Sequence, residues 1–392
     1  MNFLHSGLPK MELRAKWKRP LYEEPNFPEP KDLTAILKEM LSRLNICSKE
    51  SMIRQYDHEV QGGSVIKPLV GCLNDGPSDA AVWRPILNSS EGIVVSNGIC
   101  PRYSDIDTYH MVACAIDEAI RNNIAVGGSP DRIAGLDNFC WPDPVQSEKT
   151  PDGEYKLAQL VRANQALYDY CKAFGVPLIS GKDSMKNDTL IGGMKISVPP
   201  TVLISALGKI DDVRKAISMD AKKPGDLVYV LGETFEELGG SEYYASKGFI
   251  GNRVPSVNAE KARSLYKKLY EAIQRGLIRS CHDCSDGGLG VALAETAFAG
   301  CFGMEIDLKK VPYSGSKRND LLLFSETQSR FVVTLDPSKK KTFEALLSDA
   351  IHGEIGAVME SEIFRVIGLD GRKIIEAKIY DLKEAWQKPL KF

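Results

Sequence analysis

The sequence predicts an α+β fold built as two successive units behind an N-terminal strap. Over residues 61–217, strand-like and helix-like segments alternate as β-β-α-β-β-α-β, an order that suits a layered sheet rather than a doubly wound one. The polar stretch from Ser218 to Pro224 then runs into Gly225, the turn chemistry of a boundary. Residues 218–392 begin afresh with an apolar strand and an amphipathic helix. At 392 residues and 43% hydrophobic content, the chain has enough apolar surface for two or three cores.

In order, residues 1–60 read as strap and helix. Pro9, Pro20, Pro25, Pro28 and Pro30 favour extended backbone. A helix from Asp32 to Leu44 follows, carrying Leu33, Ile36, Leu37, Met40 and Leu41 on one face. Short strands are expected at Val65–Leu69, Ala80–Trp83 and Gly92–Asn97, then a helix over Thr108–Asn122 burying Met111, Val112, Ala115, Ile116 and Ala119. Strands at Ile124–Gly127 and Arg132–Asp137 precede a helix over Glu154–Phe174. That helix leads into a brief buried strand, Val176–Ile179, and the β-branched run Thr201–Leu207 closes the unit. The second unit has expected strands at Asp226–Gly232, Gly303–Asp307, Arg330–Leu335 and Phe364–Leu369, and a helix over Asn258–Arg275. A glycine-rich turn from His282 opens a further helix, Leu289–Ala299.

Composition excludes several classes of function. The 50 basic and 52 acidic residues are mixed along the chain, net charge −2, so nothing marks a nucleic-acid or membrane-surface partner. No apolar run approaches the ~20 residues of a membrane span. Lys10, Glu12, Arg14 and Lys16 interrupt any signal-peptide core, so a cytoplasmic location is expected. Nine cysteines without a framework suit a reducing compartment. Cys281 and Cys284 are spaced as a CxxC but lack a second ligand pair, and read as small buried side chains.

Chemistry concentrates in a few stretches. After the expected strand at Val176–Ile179 come Ser180, Gly181, Lys182, Asp183 and Ser184. Gly181 permits close backbone approach, Lys182 suits a phosphate oxygen, Asp183 a magnesium ion, and Ser184 either; the same residues also suit a polar surface turn. Ser285, Asp286, Gly287 and Gly288 open a helix whose first amides can hold an anion, or equally form an ordinary cap. Glu118 and Asn122 leave one face of their helix. With Asp79 and Asp283 they offer hard oxygen ligands for magnesium, provided the fold gathers them. Asp137 ends a strand before a proline-containing turn, and Glu326 either orients a ligand or caps a loop. His58 and His110 read as hydrogen-bonded structural groups. No nucleophile elbow and no P-loop is present.

Together, Gly76-Pro-Ser-Asp-Ala80, Asp117-Glu-Ala-Ile-Arg-Asn122, Ile179-Ser-Gly-Lys-Asp-Ser-Met185 and His282-Asp-Cys-Ser-Asp-Gly-Gly-Leu289 resemble the synthetase part of phosphoribosylformylglycinamidine synthase, over most of residues 60–370. The wider superfamily includes aminoimidazole ribonucleotide synthetase. The resemblance implies a ferredoxin-like N-terminal domain followed by a C-terminal α+β domain, the second of two pseudo-repeated halves. It implies ATP or ADP with Mg²⁺ as cofactors: Asp79, Glu118, Asn122 and Asp283 match magnesium positions, and Ser78 and Ser285 nucleotide contacts. Asp137, Gly181 and Ser184 match ATP and substrate positions, where Lys182 replaces an asparagine. The implied reaction is ATP- and glutamine-dependent conversion of formylglycinamide ribonucleotide to its amidine. The motif of the first half (Ser-Glu-His-Cys) and a glutaminase are both absent from the sequence, so a first synthetase half and a glutaminase are expected as partners. The rival readings are a nucleotide-holding scaffold with structural ADP and a free-standing relative acting alone.

Overall fold

The computed structural model describes residues 2–7 and 10–392, so the strap residue Pro9 lies outside the described residues. Helix α1 (Leu33–Leu41) is capped by Asp32, whose carboxylate accepts the Thr34 N–H, and it buries Leu33, Leu37, Met40 and Leu41. In the first unit come β1 (Ser64–Ile66), β2 (Ala81–Trp83), β3 (Gly92–Gly98), helix α2 (Thr108–Ala125), β4 (Ile133–Cys140), helix α3 (Gly153–Phe174), β5 (Leu178–Ser184) and β6 (Thr201–Ile210). They form one six-stranded sheet in the order β1-β2-β3-β6-β4-β5, with only β4 and β5 parallel.

The pleat of this sheet sends Val202, Ile204 and Ala206 into the core shared with α2. At Gly98 the helix passes so close that a Cβ would stand 2.0 Å from the Ala115 carbonyl oxygen, and only glycine fits. Among the described residues, nothing covers the opposite face of the sheet fully. Trp83, Val95 and Leu207 remain 37%, 41% and 39% exposed there.

The second unit has β7 (Leu227–Leu231), helix α4 (Ala259–Gln274), β8 (Ser280–Asp283), helix α5 (Gly288–Gly300), β9 (Gly303–Asp307), β10 (Phe331–Leu335), β11 (His352–Met359), β12 (Ile363–Ile367), β13 (Lys373–Lys378) and helix α6 (Ile379–Gln387). Seven strands form a sheet in the order β8-β10-β7-β11-β9-β12-β13, and its central strands are buried on both faces. Val228, Val230 and Val332 join a core with α5 and α6, while Tyr229, Phe331 and Val333 pack with α4 and α2. Helix α5 is buried all round, which explains why its sequence is apolar on every side.

The strap runs across both units. Trp17 stacks on Tyr155 at 5.5 Å under the Arg162 guanidinium, Tyr22 pairs with Asn252 at 2.8 Å, and Phe27 packs among Tyr243, Tyr244 and Phe249.

Several expectations are corrected. Ile124–Gly127 is not a strand: Ile124 and Ala125 complete α2, Val126 caps it, and Gly127 turns the chain at φ 101°. A four-residue apolar run fits a buried helix end as well as a strand, and packing decided. Val176–Ile179 is not a buried strand either. The strand is Leu178–Ser184, an exposed sheet edge that absorbs Ser180 to Ser184. His282 belongs to β8 and not to a turn. Nδ1 of both His58 and His110 is buried without a hydrogen-bond partner, so neither imidazole is tied down there as expected. Cys72 and Cys301 form a disulfide that the sequence did not suggest, whereas Cys281 and Cys284 are free and buried.

Candidate functional site

Three segments distant in sequence build one buried polar cluster. Helix α2 presents Asp117 and Arg121 on one line and Glu118 and Asn122 on the next, each pair four residues apart. Strand β8 delivers His282 and Asp283 beside the loop that precedes β2 and carries Asp79. The Asp283 N–H donates to Asp79 Oδ1 at 3.1 Å, and His282 Nδ1 lies 2.7 Å from the same oxygen. One donor atom each from Asp79, His282 and Asp283 falls within a 4.8 Å group.

Glu118 joins through Ser285, whose hydroxyl donates to Glu118 Oε1 at 3.3 Å and also meets Asp283 Oδ2; Glu118 Oε2 accepts the Ile99 N–H at 2.8 Å. Asn122 donates from Nδ2 to the Asn97 carbonyl at 3.2 Å. Asn122 Oδ1 and Asp79 Oδ2 are buried with no partner. An unsatisfied Asp79 oxygen in a buried carboxylate cluster is what a hard divalent cation would complete, so the oxygen donors there fit magnesium.

The electrostatics follow from burial and neighbours. Burial, moderated by Arg121, pushes the Glu118 carboxyl up to about 7. Burial also raises Asp283, but Arg121, His282 and the Ser285 hydroxyl outweigh it and hold that carboxyl below its ordinary range. Burial disfavours a charged imidazole at His282, yet the Asp79 charge and the bonds to Asp79 and Glu295 raise it well above the usual value. Asp79 is itself raised by burial, against the pull of His282. Half-buried Asp286 is pushed well above the carboxylate range by burial and then by Glu326, Glu118 and Glu242.

Arg121 and His282 lie inside motifs that the sequence offered, but neither stood out there as a site residue. Arg121 is fully buried and donates to Asp283 at 3.0 Å, Asp117 at 2.6 Å, Gln328 at 2.8 Å and Ser285 at 2.7 Å. It is the counter-ion that joins α2 to β8. An arginine four residues after an aspartate, in a helix otherwise rich in apolar residues, is the sequence signal that could have found it.

The first turn of α5 is used internally. The Gly287 N–H donates to Glu326 Oε1 at 2.9 Å, and the Gly288 N–H to the Ser285 carbonyl at 2.9 Å. Glu326 also accepts the Glu242 N–H at 2.9 Å and the Tyr103 hydroxyl at 2.8 Å, so this side chain occupies the place at that helix end where an external anion would bind. Gly288 is held at φ 64°, where a Cβ would stand 2.2 Å from the Ser325 carbonyl oxygen. Ser78 Oγ donates to the Ala80 carbonyl at 2.9 Å.

Asp137, Gly181, Lys182 and Ser184 form a second group, on β4 and β5. Asp137 sits opposite Gly181, where a Cβ would lie 2.8 Å from its Oδ1. Burial chiefly, then Asp183, raises the Asp137 carboxyl. Register with buried Ile204 puts Asp137 and Gly181 on the helix side of the sheet, and alternation sends Lys182 and Ser184 to the open side. Ser184 donates to Asn187 Oδ1 at 3.0 Å. Among the described residues, none of these four shares a side-chain hydrogen bond or ion pair with the Asp79–Asp283 cluster. No helix among the described residues is long and apolar enough to cross a membrane.

Two family descriptions match the chain: AIR synthase related protein, N-terminal domain, over residues 77–210, and the corresponding C-terminal domain over residues 223–368. The phosphoribosylformylglycinamidine synthase subunit PurL of Alkaliphilus metalliredigens is 35% identical over 365 residues, covering 92% of this chain and 46% of the relative. That of Methanocaldococcus jannaschii is 38% identical over 331 residues, 83% and 43% respectively. The chain thus spans about half the length of the curated relatives it matches. In fold it resembles PurLQS from Thermotoga maritima, with a TM-score of 0.69 at 17% identity over 93% of this chain and 53% of that one. A chain of the HypE–HypF complex is also similar in fold, with a TM-score of 0.56 at 16% identity over 76% of this chain and 93% of that one. With its motifs in order and both domains matched, the chain belongs to the phosphoribosylformylglycinamidine synthase (PurL) family of AIR synthase related proteins.

Proposed function

We propose that this chain is the second half of a phosphoribosylformylglycinamidine synthase. It would contribute to the ATP- and glutamine-dependent conversion of formylglycinamide ribonucleotide to formylglycinamidine ribonucleotide in purine biosynthesis. One observation carries the reading: Asp79 and Asp283, far apart in sequence, meet through a 3.1 Å hydrogen bond, and the other Asp79 oxygen, Oδ2, is buried without a partner. Asp79, Glu118, Asn122 and Asp283 would hold Mg²⁺, which when bound neutralises charge on the phosphates of ATP or ADP. His282 and Arg121 keep the Asp79 and Asp283 carboxylates oriented, and Ser285 and Ser78 lie at the nucleotide edge. Lys182 and Ser184, on the open side of the first sheet, would serve a phosphate or substrate end, while Asp137 and Gly181, matched by the resemblance to the same end, lie on the helix side of that sheet. Gly287 and Gly288 act by letting α5 start close against Ser325, with Glu326 holding the first amide.

The domain division that goes with this reading is 1–60, 61–217 and 218–392. The exposed sheet face around Trp83, Val95 and Leu207 fits a first synthetase half, and a glutaminase would supply ammonia. The seven free cysteines suit the cytoplasm. The deciding experiment is calorimetry of ADP binding with and without Mg²⁺. Asp283→Ala should abolish the Mg²⁺-dependent part, and an affinity equal to that of the parent chain removes the metal assignment.

A further inference from the structure

We propose that Cys72 and Cys301 are a reversible thiol–disulfide modification site that pins the Asp79 loop to the end of α5. The two cysteines are bonded across 229 positions of sequence, with Cα atoms 6.4 Å apart, inside the range a disulfide needs. The other seven cysteines are free. Five of those are buried, and burial pushes the Cys100, Cys114 and Cys281 thiols well above their ordinary range, away from the reactive thiolate. Cys72 by contrast is exposed and Cys301 half-buried, so a small reagent can reach the pair. A closed pair whose sulfurs a small thiol can reach is one that a change of thiol–disulfide poise can open and close, while the five buried thiols are shielded from the reagent.

The backbone already holds the partners together. The Cys72 N–H donates to the Ala299 carbonyl at 2.9 Å. A Cβ at Gly71 would stand 2.3 Å from that same oxygen, and one at Gly76 would stand 2.5 Å from the Ala299 side chain. Closure therefore needs little movement. Loop 71–79 ends at Asp79, while α5 begins just after Asp283 and Ser285. The disulfide thus ties both arms of the carboxylate cluster together at their far ends.

The oxidant is a low-molecular-weight disulfide of the glutathione class. The Cys72 thiolate attacks one of its sulfurs, forming a mixed disulfide and expelling one small thiolate. The Cys301 thiolate then attacks the Cys72 sulfur, closes the bond and expels the second. Two protein thiols are oxidised, the reagent is reduced to two thiols, and these take up the two protons.

The site itself stands on the cysteine geometry, and only its effect on nucleotide rests on the function proposed above. The full chain is equilibrated in mixtures of reduced and oxidised glutathione, quenched in acid, alkylated, and read by intact mass and peptide mapping. One two-electron step at Cys72–Cys301 is expected, with the other seven cysteines alkylated throughout and the step missing in Cys72→Ser. A pair that stays closed in excess reduced glutathione under native conditions, or oxidation at other cysteines first, overturns the proposal. Hydrogen exchange at residues 76–83 should be slower by about threefold or more in the oxidised form, with Cys72→Ser matching the reduced form. Equal exchange in both forms refutes the pinning. Mg²⁺–ADP affinity should shift with the same step. Loss of nucleotide binding in both forms, with the exchange difference intact, counts against the proposed function and not against the cysteine pair.

Discussion

Replacing Arg121 by Met tests whether one buried guanidinium holds the cluster together. The structure assigns it four hydrogen bonds, two of them to carboxylates whose side chains are 0% and 7% exposed. Removing one member of a buried ion pair costs about 3–5 kcal/mol, because the partner stays buried and unpaired. Asp117 keeps the Tyr266 hydroxyl and both groups of Ser329, and Asp283 keeps Ser285 and the nearby His282, which places the loss near the lower figure, about 3 kcal/mol. Arg121 is the main group holding the Asp283 carboxyl down, so without it that carboxyl rises and the folded variant binds a proton more tightly than the folded parent. The deficit must therefore shrink as pH falls. Urea unfolding of parent and variant at pH 7.5 and 5.5 measures both quantities. A loss under about 1 kcal/mol at pH 7.5, or a deficit the same at both pH values, refutes the account of Arg121 as the central counter-ion.

Three other outcomes follow from single contacts. Gly288→Ala forces a Cβ to within 2.2 Å of the Ser325 carbonyl at φ 64°. It should cost about 2 kcal/mol or more, and a melting temperature equal to that of the parent chain would deny the close approach. Glu326 is raised by burial, against its three hydrogen bonds, from 4.5 to about 7. Its favourable contribution is thus complete below about pH 4.5 and is lost as pH rises through 7, a span of about 3 kcal/mol. Glu326→Gln should flatten stability between those pH values, and an undiminished slope in urea midpoints rejects this. Leu207→Lys, on the exposed sheet face, should leave stability within about 0.5 kcal/mol. It should nevertheless block co-elution with a first-half partner on gel filtration; normal co-elution would dismiss that face as the interface.

Local periodicity carried most of the secondary structure. The i, i+3, i+4 spacing in Thr108–Asn122 and Glu154–Phe174, and the β-branched run at Thr201–Leu207, marked elements found within a few residues of their expected bounds. Errors fell on short apolar runs. Ile124–Gly127 is helix end and turn, and Val176–Ile179 is only partly strand, since four apolar residues fit either state until a neighbour chooses.

Residue chemistry likewise marked Asp79, Glu118, Asn122 and Asp283 as oxygen ligands, and their types and helical spacing are properties a chain carries without folding. That Asp79 and Asp283 meet, that Arg121 stands between Asp117 and Asp283, and that Glu326 fills the first turn of α5 were decided by tertiary structure alone. A helical or strand repeat is set by neighbours a few residues away, whereas each of these contacts joins segments brought together only when the two cores pack. The same packing closed Cys72 on Cys301 and left one face of the first sheet open.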